Sequence, residues 1–386
     1  MSAQVTPILK QLKSLAQRPL SAATAPPKDL YTLPEICDLE QKRIFSRSWL
    51  CAGRADEVPS PGDYMTFEIG PQPVLIIRGQ GGDVYARANV CRHRMMRLVE
   101  GRGNARKFTC PYHAWTYNTE GRLVSAPYMD RTTCFERDDL ALVEIRCEIY
   151  QGWIYVTLNP DIPQVADQLA DLSPLTVRYN QQDYVTIFSE EHVWDTNWKC
   201  LTENFMESYH LPVAHRATVG AHMPPEEVEF DDRGAFESFT YQLFTKHDGA
   251  PVGRAHEANK SLEGRWRHTS VMPTVFPSHM YVLAPDHLWY LSLQPDGSSR
   301  TRIRYGAAIA PEVLEAKTDR ESYIADTKAF LDKVQDEDRH VVEGIFKGAQ
   351  SPLGMPGPLS WLERENHEFA QYIARRLCDP DQKTDA

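Results

Sequence analysis

Cysteine is scarce in this chain, eight residues among 386, too few for a scaffold held together by disulfides. Six of the eight, Cys37, Cys51, Cys134, Cys147, Cys200 and Cys378, share no spacing that suggests a common site and read as small buried hydrophobes. Long apolar runs are missing too: Gly152 to Leu158 is among the longest, far short of a bilayer span, and no signal-peptide core follows the N-terminus. There is no basic block. Forty-two Lys and Arg stand against 53 Asp and Glu, for a net charge of −11, which argues against nucleic acid as a partner. Internal repeats and low-complexity tracts are also absent. These absences make a soluble, cytoplasmic protein without a membrane or nucleic-acid partner the expectation. What remains, 42% hydrophobic and 25% charged residues, suits a chain that buries a sizeable core, and the length suggests two domains.

The first 28 residues carry Lys10, Lys13, Arg18 and Lys28 with no acid before Asp29, a composition that faintly resembles an organelle transit peptide. A helix followed by a Pro-containing linker is the plainer reading. From Pro34 to Trp49 the pattern is helical, with Ile36, Leu39, Ile44 and Phe45 broadly on one side. Between Cys51 and Leu158 short β-like runs alternate with turn residues: 74–77, 84–90, 107–109, 114–124 across Asn118-Thr119-Glu120-Gly121, and 149–158. That pattern predicts a small antiparallel β domain, with a boundary at the prolines of Asn159 to Gln164. The remainder mixes strands, at 280–283, 287–294 and 301–309, with a long helix over 316–346, so the second domain reads as α+β.

Cys91 and Cys110 differ from the other cysteines because each has a histidine at short range. Cys91-Arg92-His93-Arg94 and Cys110-Pro111-Tyr112-His113 each place one thiolate and one imidazole in a tight loop, with sixteen residues between His93 and Cys110. Two thiolates and two imidazoles make a metal site. Tetrahedral zinc accepts that set, but zinc fingers usually pair Cys with Cys and His with His, whereas each loop here mixes the two. Mixed loops suit a two-iron cluster in which one iron takes both cysteines and the other both histidines. At these residues the chain resembles the Rieske iron–sulfur family. The resemblance implies that Cys91 and Cys110 hold the inner iron and His93 and His113 the outer one.

Such a cluster moves single electrons and needs an acceptor. The segment Asn197-Trp198-Lys199-Cys200-Leu201-Thr202-Glu203-Asn204-Phe205-Met206-Glu207-Ser208-Tyr209-His210-Leu211-Pro212-Val213-Ala214-His215 supplies candidates. Glu207 and His210, three apart, would share a helix face, and Pro212 would end the helix and let His215 turn back toward the same metal. A histidine pair alone is weak support for a metal. Two histidines and a carboxylate, however, leave a non-haem iron open positions for oxygen and substrate. The carboxylate is sought in Asp336-Glu337-Asp338: Leu331, Val334, Val341, Val342 and Ile345 mark a buried helical stripe, Asp338 falls within it, and Asp336 and Glu337 point elsewhere. A carboxylate on an apolar face needs a partner, either a cation or a local cap or pair.

The resemblance then extends along the whole chain, through Tyr31-Thr32-Leu33-Pro34, Arg43-Ile44-Phe45, Trp49, Asn197-Trp198-Lys199 and Leu359-Ser360-Trp361, to the catalytic (alpha) subunit of a Rieske non-haem iron oxygenase. It implies an α+β fold in three parts: an N-terminal helical segment, 1–45, packing on the catalytic domain; a small all-β Rieske [2Fe–2S] domain, 46–160; and an antiparallel-sheet-plus-helices (helix-grip) catalytic domain, 161–386, with mononuclear iron. His210, His215 and Asp338 would bind that Fe(II). Glu207, taken with Asn204 as the catalytic set, would bridge an iron-bound histidine and a Rieske histidine of a neighbouring subunit, His113, in a head-to-tail homotrimer. Dioxygen would be co-substrate, with electrons from NAD(P)H and flavin arriving only through a separate flavin/iron–sulfur reductase or ferredoxin.

Most members of the family it resembles that act on aromatics carry Asp at the bridging position; this chain carries Glu207, and relatives with Glu there include those acting on carnitine, betaines and choline-like compounds. The implied reaction is hydroxylation or oxidative N-demethylation of a small quaternary ammonium compound. Trp266, Tyr281, Trp289 and Tyr290 are candidates for an aromatic cage around its cation, although each also reads as ordinary core. The alternatives are an aromatic ring-hydroxylating dioxygenase or O-demethylase, and a plain Rieske electron carrier.

Overall fold

A computed structural model describes residues 4–230, 236–246 and 253–378. The chain divides into two units: Phe45–Val165 forms one, and the segments before and after it, through Ile44 and from Ala166, form the other.

In the first unit, runs such as Val74-Leu75-Ile76-Ile77 are buried throughout. They belong to a seven-stranded antiparallel sheet in the order Leu50–Arg54, Trp153–Thr157, Glu144–Tyr150, Val84–Ala88, Gln72–Arg78, Asp63–Ile69 and Arg102–Asn104. The run expected as one strand over 149–158 is instead a hairpin. Gln151 and Gly152 both take positive φ, 48° and 85°, the backbone of a tight two-residue turn between Glu144–Tyr150 and Trp153–Thr157. A separate three-stranded sheet, Lys107–Thr109, Thr116–Asn118 and Leu123–Ser125, carries one of the two Cys/His loops between its first two strands.

The second unit is built on another seven-stranded antiparallel sheet. Its order is Val185–Trp194, Thr301–Ile309, His287–Pro295, His279–Leu283, Thr269–Val275, Phe239–Thr245 and Val228–Glu229. The helix expected over 316–346 runs from Arg320 to Ala349, because the Asp319 side chain accepts from the Ser322 N–H and caps it one turn later. Its buried stripe is Leu331, Val334, Gln335, Asp338, Val342 and Phe346. Val341 is only half-buried and Ile345 is exposed, so the stripe leaves the expected line in its last turns. Among the described residues no helix is long and apolar enough to cross a membrane.

The N-terminal segment belongs to this unit. Helix Val5–Ala16 buries Ile8, Leu9, Leu12 and Leu15 and packs on the last helix, Arg364–Cys378. Helix Pro34–Arg43 is tied in by one buried acid: Glu40 accepts from Lys199 Nζ at 2.7 Å and from Trp198 Nε1 at 2.8 Å, on helix Trp198–Met206. Asn197 caps that helix through the Lys199 N–H and donates to the Tyr31 and Ser298 carbonyls. Asn197-Trp198-Lys199 is therefore a fastening for the segment that carries Asn204 and Glu207. Removing one member of a buried ion pair strands the other charge, so Glu40→Ala should lower stability by about 3–5 kcal/mol in urea unfolding. A loss under about 1 kcal/mol, the range of an ordinary surface substitution, would show that the pair is not structural.

Candidate metal centres

The two Cys/His loops have the same backbone. The Cys91 N–H donates to the Met96 carbonyl and the Met95 N–H to the Cys91 carbonyl; Cys110 with Trp115, and Ala114 with Cys110, repeat both bonds. Met95 and Ala114, each four residues after its cysteine, take φ of 59° and 58°, the left-handed region that residues other than glycine occupy at a cost. This turn buries both cysteines, to 1% and 3% exposure, and leaves His93 and His113 at the surface. The imidazole rings lie 4.7 Å apart, and His93 stacks on Trp115 at 4.8 Å. Tyr117 Oη sits 3.4 Å from Cys91 Sγ and accepts from the Arg92 N–H.

Burial pushes the Cys91 thiol up, so a thiolate there needs a cation beside it. Among the described residues only one set of three or more metal-ligating side chains has all its ligand atoms within 4.8 Å of one another, and it is not drawn from these loops. A single tetrahedral zinc would pull all four groups inside such a distance. Separate buried-thiol and surface-imidazole pairs instead match a two-iron cluster.

The set that does converge is His210, His215 and Asp338. Asp338 Oδ1 lies 3.0 Å from His215 Nε2 and 3.7 Å from His210 Nε2, and it accepts from Asn204 Nδ2 at 2.7 Å. The other ring nitrogens are held by carboxylates: His210 Nδ1 by Glu207 Oε1 at 2.6 Å, and His215 Nδ1 by Glu337 Oε2 at 2.8 Å. Each Nε2 is thereby turned toward the centre, with the outer nitrogen fixed as a metal ligand requires. Burial depresses the His215 pKa, but its bonds to Asp338 and Glu337 outweigh that and raise it overall. Such proton-holding carboxylates suit a site built for a cation.

Three local expectations are corrected. Helix Trp198–Met206 ends before Glu207, so Glu207 and His210 do not share a helix face; the carboxylate folds back to accept from the His210 backbone N–H as well as its ring. Pro212 does not end a helix. It lies in the first turn of the short helix Leu211–Ala214, where its missing N–H costs nothing, and His215 follows directly. Glu337 does not point away: besides His215 it accepts from Thr218 Oγ1 at 2.5 Å. Its neighbour Asp336 is exposed, as expected.

The triad lies on the wall of a cavity of about 580 Å³ bounded by one sheet face and the long helix. Strand parity decides which aromatic candidates reach it. Val282 pairs with Trp289 and both line the cavity, while the next pair, Tyr281 with Tyr290, faces away. Tyr281 stacks on His279, and Tyr290 Oη meets Ser189 Oγ at 3.2 Å. Trp266 is elsewhere too, under the Arg178 guanidinium at 3.8 Å and against Tyr179. Of the four, Trp289 alone lines the cavity. Its ring meets Phe205 edge to face at 5.5 Å, and Tyr323 and Phe330 of the long helix complete the aromatic lining. These three rings went unrecognised because nothing in their spacing says which sheet face the helix covers.

Residues 178–379 match the family described as ring hydroxylating alpha subunit (catalytic domain), and residues 48–136 match the Rieske [2Fe–2S] domain. A glycine betaine monooxygenase oxygenase subunit of Pseudomonas aeruginosa is 27% identical over 366 residues, 86% of this chain and 84% of the relative. A carnitine monooxygenase oxygenase subunit of Escherichia coli is 31% identical over 206 residues, 53% of this chain and 55% of the relative. Among solved structures, a quaternary ammonium Rieske monooxygenase described for carnitine oxidation and inter-subunit electron transfer superposes with a TM-score of 0.79. It is 23% identical, over 94% of this chain and 98% of that one, a likeness of fold. With its two metal-binding halves in the order of that family, the chain belongs to the ring-hydroxylating alpha subunits, oxygenases that pair a Rieske [2Fe–2S] cluster with mononuclear iron.

Proposed function

We propose that the protein is the terminal oxygenase of a multicomponent monooxygenase that oxidises an N-methyl group of a quaternary ammonium compound. Cys91, His93, Cys110 and His113 hold the cluster, and His210, His215 and Asp338 hold the iron. The cluster supplies single electrons and the iron supplies activation of dioxygen when both are bound. The chain's own residues do the rest. Asn204 fixes the Asp338 carboxylate, and Glu337 holds the proton on His215 Nδ1.

Glu207 does the same for His210 and reaches, in an assembled head-to-tail trimer, His113 of the partner subunit. The 2.6 Å bond between Glu207 and His210 Nδ1 supports half of that bridge, and the inter-subunit electron transfer described for the solved relative supports the other half. Electrons originate in NAD(P)H and pass through a separate flavin/iron–sulfur reductase or ferredoxin.

The observation that carries the substrate class is the Phe205–Trp289 pair on the wall of the cavity that contains the triad. Aromatic faces attract an alkylammonium ion and tolerate its methyl groups, and the betaine and carnitine relatives point the same way. One oxygen atom enters an N-methyl C–H bond, and the other leaves as water with an electron pair and protons from the reductase. The carbinolamine formed then releases formaldehyde. The apolar middle of the cavity, Met272, Val282, Leu331 and Val334, favours an aromatic or methoxy-aromatic substrate as the second reading.

Formaldehyde release with betaines and methoxy-aromatics assayed side by side separates the two readings: quaternary ammonium compounds should be turned over, and turnover of the aromatics alone would reverse the assignment. Glu207→Gln should keep both metals while slowing oxidation of the reduced cluster by the iron site; unchanged single-turnover rates would remove the bridge. Glu337→Ala should weaken iron retention about 10–100-fold while leaving the cluster absorbance intact, as loss of an outer hydrogen-bond partner does at other metal sites. Full iron content after chelator challenge would deny Glu337 a positioning role.

A further inference from the structure

Hydroxylation of a C–H bond by dioxygen takes two electrons and two protons: one oxygen atom enters the bond and the other leaves as water. The cluster passes electrons alone, so the protons must cross the shell of the catalytic unit by a route of their own. The start of the last helix, Arg364–Cys378, lies where such a route is needed. Leu362, just before it, shares a buried apolar cluster with Leu211, four residues after Glu207.

The acids of this region fall into two kinds. Glu40 is closed on Lys199, and Glu368 meets Arg364 Nε at 2.8 Å and Thr240 Oγ1 at 2.6 Å. Glu363 and Glu365, by contrast, form no ion pair among the described residues. Glu363 is half-buried and accepts from the Ser360 N–H at 2.6 Å. Glu365 is 1% exposed, and neither of its carboxyl oxygens meets a donor from another residue.

A carboxylate sealed from water with neither counter-charge nor donor is too costly to keep, so Glu365 stands as a carboxylic acid that holds its proton. Burial is the largest influence keeping the proton on, and the charges of Glu368 and Glu207 add to it against Arg364. Burial raises Glu363 too, with the Ser360 N–H opposing and Glu207 adding. The other charged or titratable groups brought against this helix are engaged or remote. Lys199 and Glu40 hold each other, Glu203 accepts from Tyr31 Oη at 2.9 Å, and Arg43 donates to the Leu377 carbonyl. Cys200 stays a thiol, pushed up to about 12 by burial, and Lys10 and Lys13 are exposed. Access then sets a direction. Glu363 meets solvent and Glu365 does not, while Glu207, whose charge both of them feel, lines the iron cavity. Next to these acids in the chain, Asn366 Oδ1 and Ser208 Oγ are buried without a partner, as groups that bind internal water are.

We propose that Glu365 is a proton store for the oxygen reaction, filled from solvent through Glu363 and emptied toward the cavity on the side that Glu207 lines. Each turnover draws two protons through it, in step with the two electrons from the reductase. Each departure leaves a Glu365 carboxylate, which solvent reprotonates. Glu365 makes no bond to a metal ligand, so its part is supply, and it acts through its neighbours. The assignment rests on the oxygenase reading above and is independent of which compound is oxidised.

The test sets Glu365→Gln, which keeps the shape and loses the proton, against Glu365→Asp, which keeps the proton and loses the shape. A purely structural role would spare the first, and a proton store would spare the second. Infrared spectra of the metal-free protein at pH 7 should show a carboxylic-acid C=O band that shifts in D2O and is missing from Glu365→Gln. In single turnovers of the loaded, pre-reduced enzyme, with the compound that releases most formaldehyde in the assay above, Glu365→Gln should form product about tenfold more slowly, less than the loss of an acid placed on the reacting atoms. Glu365→Asp should recover part of that rate, and iron content and cluster absorbance should not change. Absence of the band, or a Gln variant as fast as wild type or faster than the Asp variant, overturns the store. If Glu365→Asp does not fold, the band and the Gln rate decide alone. A wild type that turns over beside an equally active Glu365→Gln loses only the store; a wild type that oxidises none of the compounds loses the oxygenase reading and the store together.

Discussion

One buried carboxylate sets the terms for the catalytic unit. Asp338 sits on the apolar stripe of a thirty-residue helix, 7% exposed, where an unpaired charge would be too costly to keep. The fold brings to it two imidazoles, each with its outer nitrogen already committed to another carboxylate, and an amide donor from Asn204. Three acids around two histidines are stable together only if positive charge is shared among them, and a bound cation is what the geometry collects. The buried pair Glu40–Lys199 serves the same end at one remove, because it anchors the helix that delivers Asn204 and, just past its end, Glu207.

The Rieske unit solves a related problem with a different device. Two copies of one strained turn bury the two thiols and leave the imidazoles outside, so the loops sort soft ligands inward and proton-bearing ligands outward. That sorting puts the redox-active edge at the surface, where a second protein or subunit can meet it. On the proposed function, Glu207 would be the matching feature of the catalytic unit. Its carboxylate is 12% exposed and holds the His210 ring from one side.

Features whose chemistry is local in sequence were legible without the structure. Each Cys/His pair lies within one loop, and Asp338 is singled out by its place on a helical stripe, so the Cys/His site and the antiparallel β followed by α+β order could be read from spacing, whereas His210 and His215 became iron candidates only through the Rieske resemblance upstream of them. What could not be read depends on which surfaces meet. Glu337 lies off the buried stripe, and only the position of His215 gives it a partner. Tyr281 and Tyr290 differ from Val282 and Trp289 by one residue of strand parity, which sequence does not tie to a particular sheet face. The turn at Gln151–Gly152 lacks the Asn-Gly or Asp-Gly signature, and Pro212 looked like a stop because a four-residue helix offers too little periodicity to announce itself.

The claim on which all of this rests is that His210, His215 and Asp338 hold a single iron, apart from a two-iron cluster on the Cys/His loops. A crystal of the holoenzyme measured on both sides of the iron absorption edge tests it directly. The account predicts one anomalous peak bonded to both Nε2 atoms and to Asp338, and a separate, stronger one between the cysteine and histidine pairs. No iron signal at the triad, with Asp338 bonded only to protein groups, would contradict it.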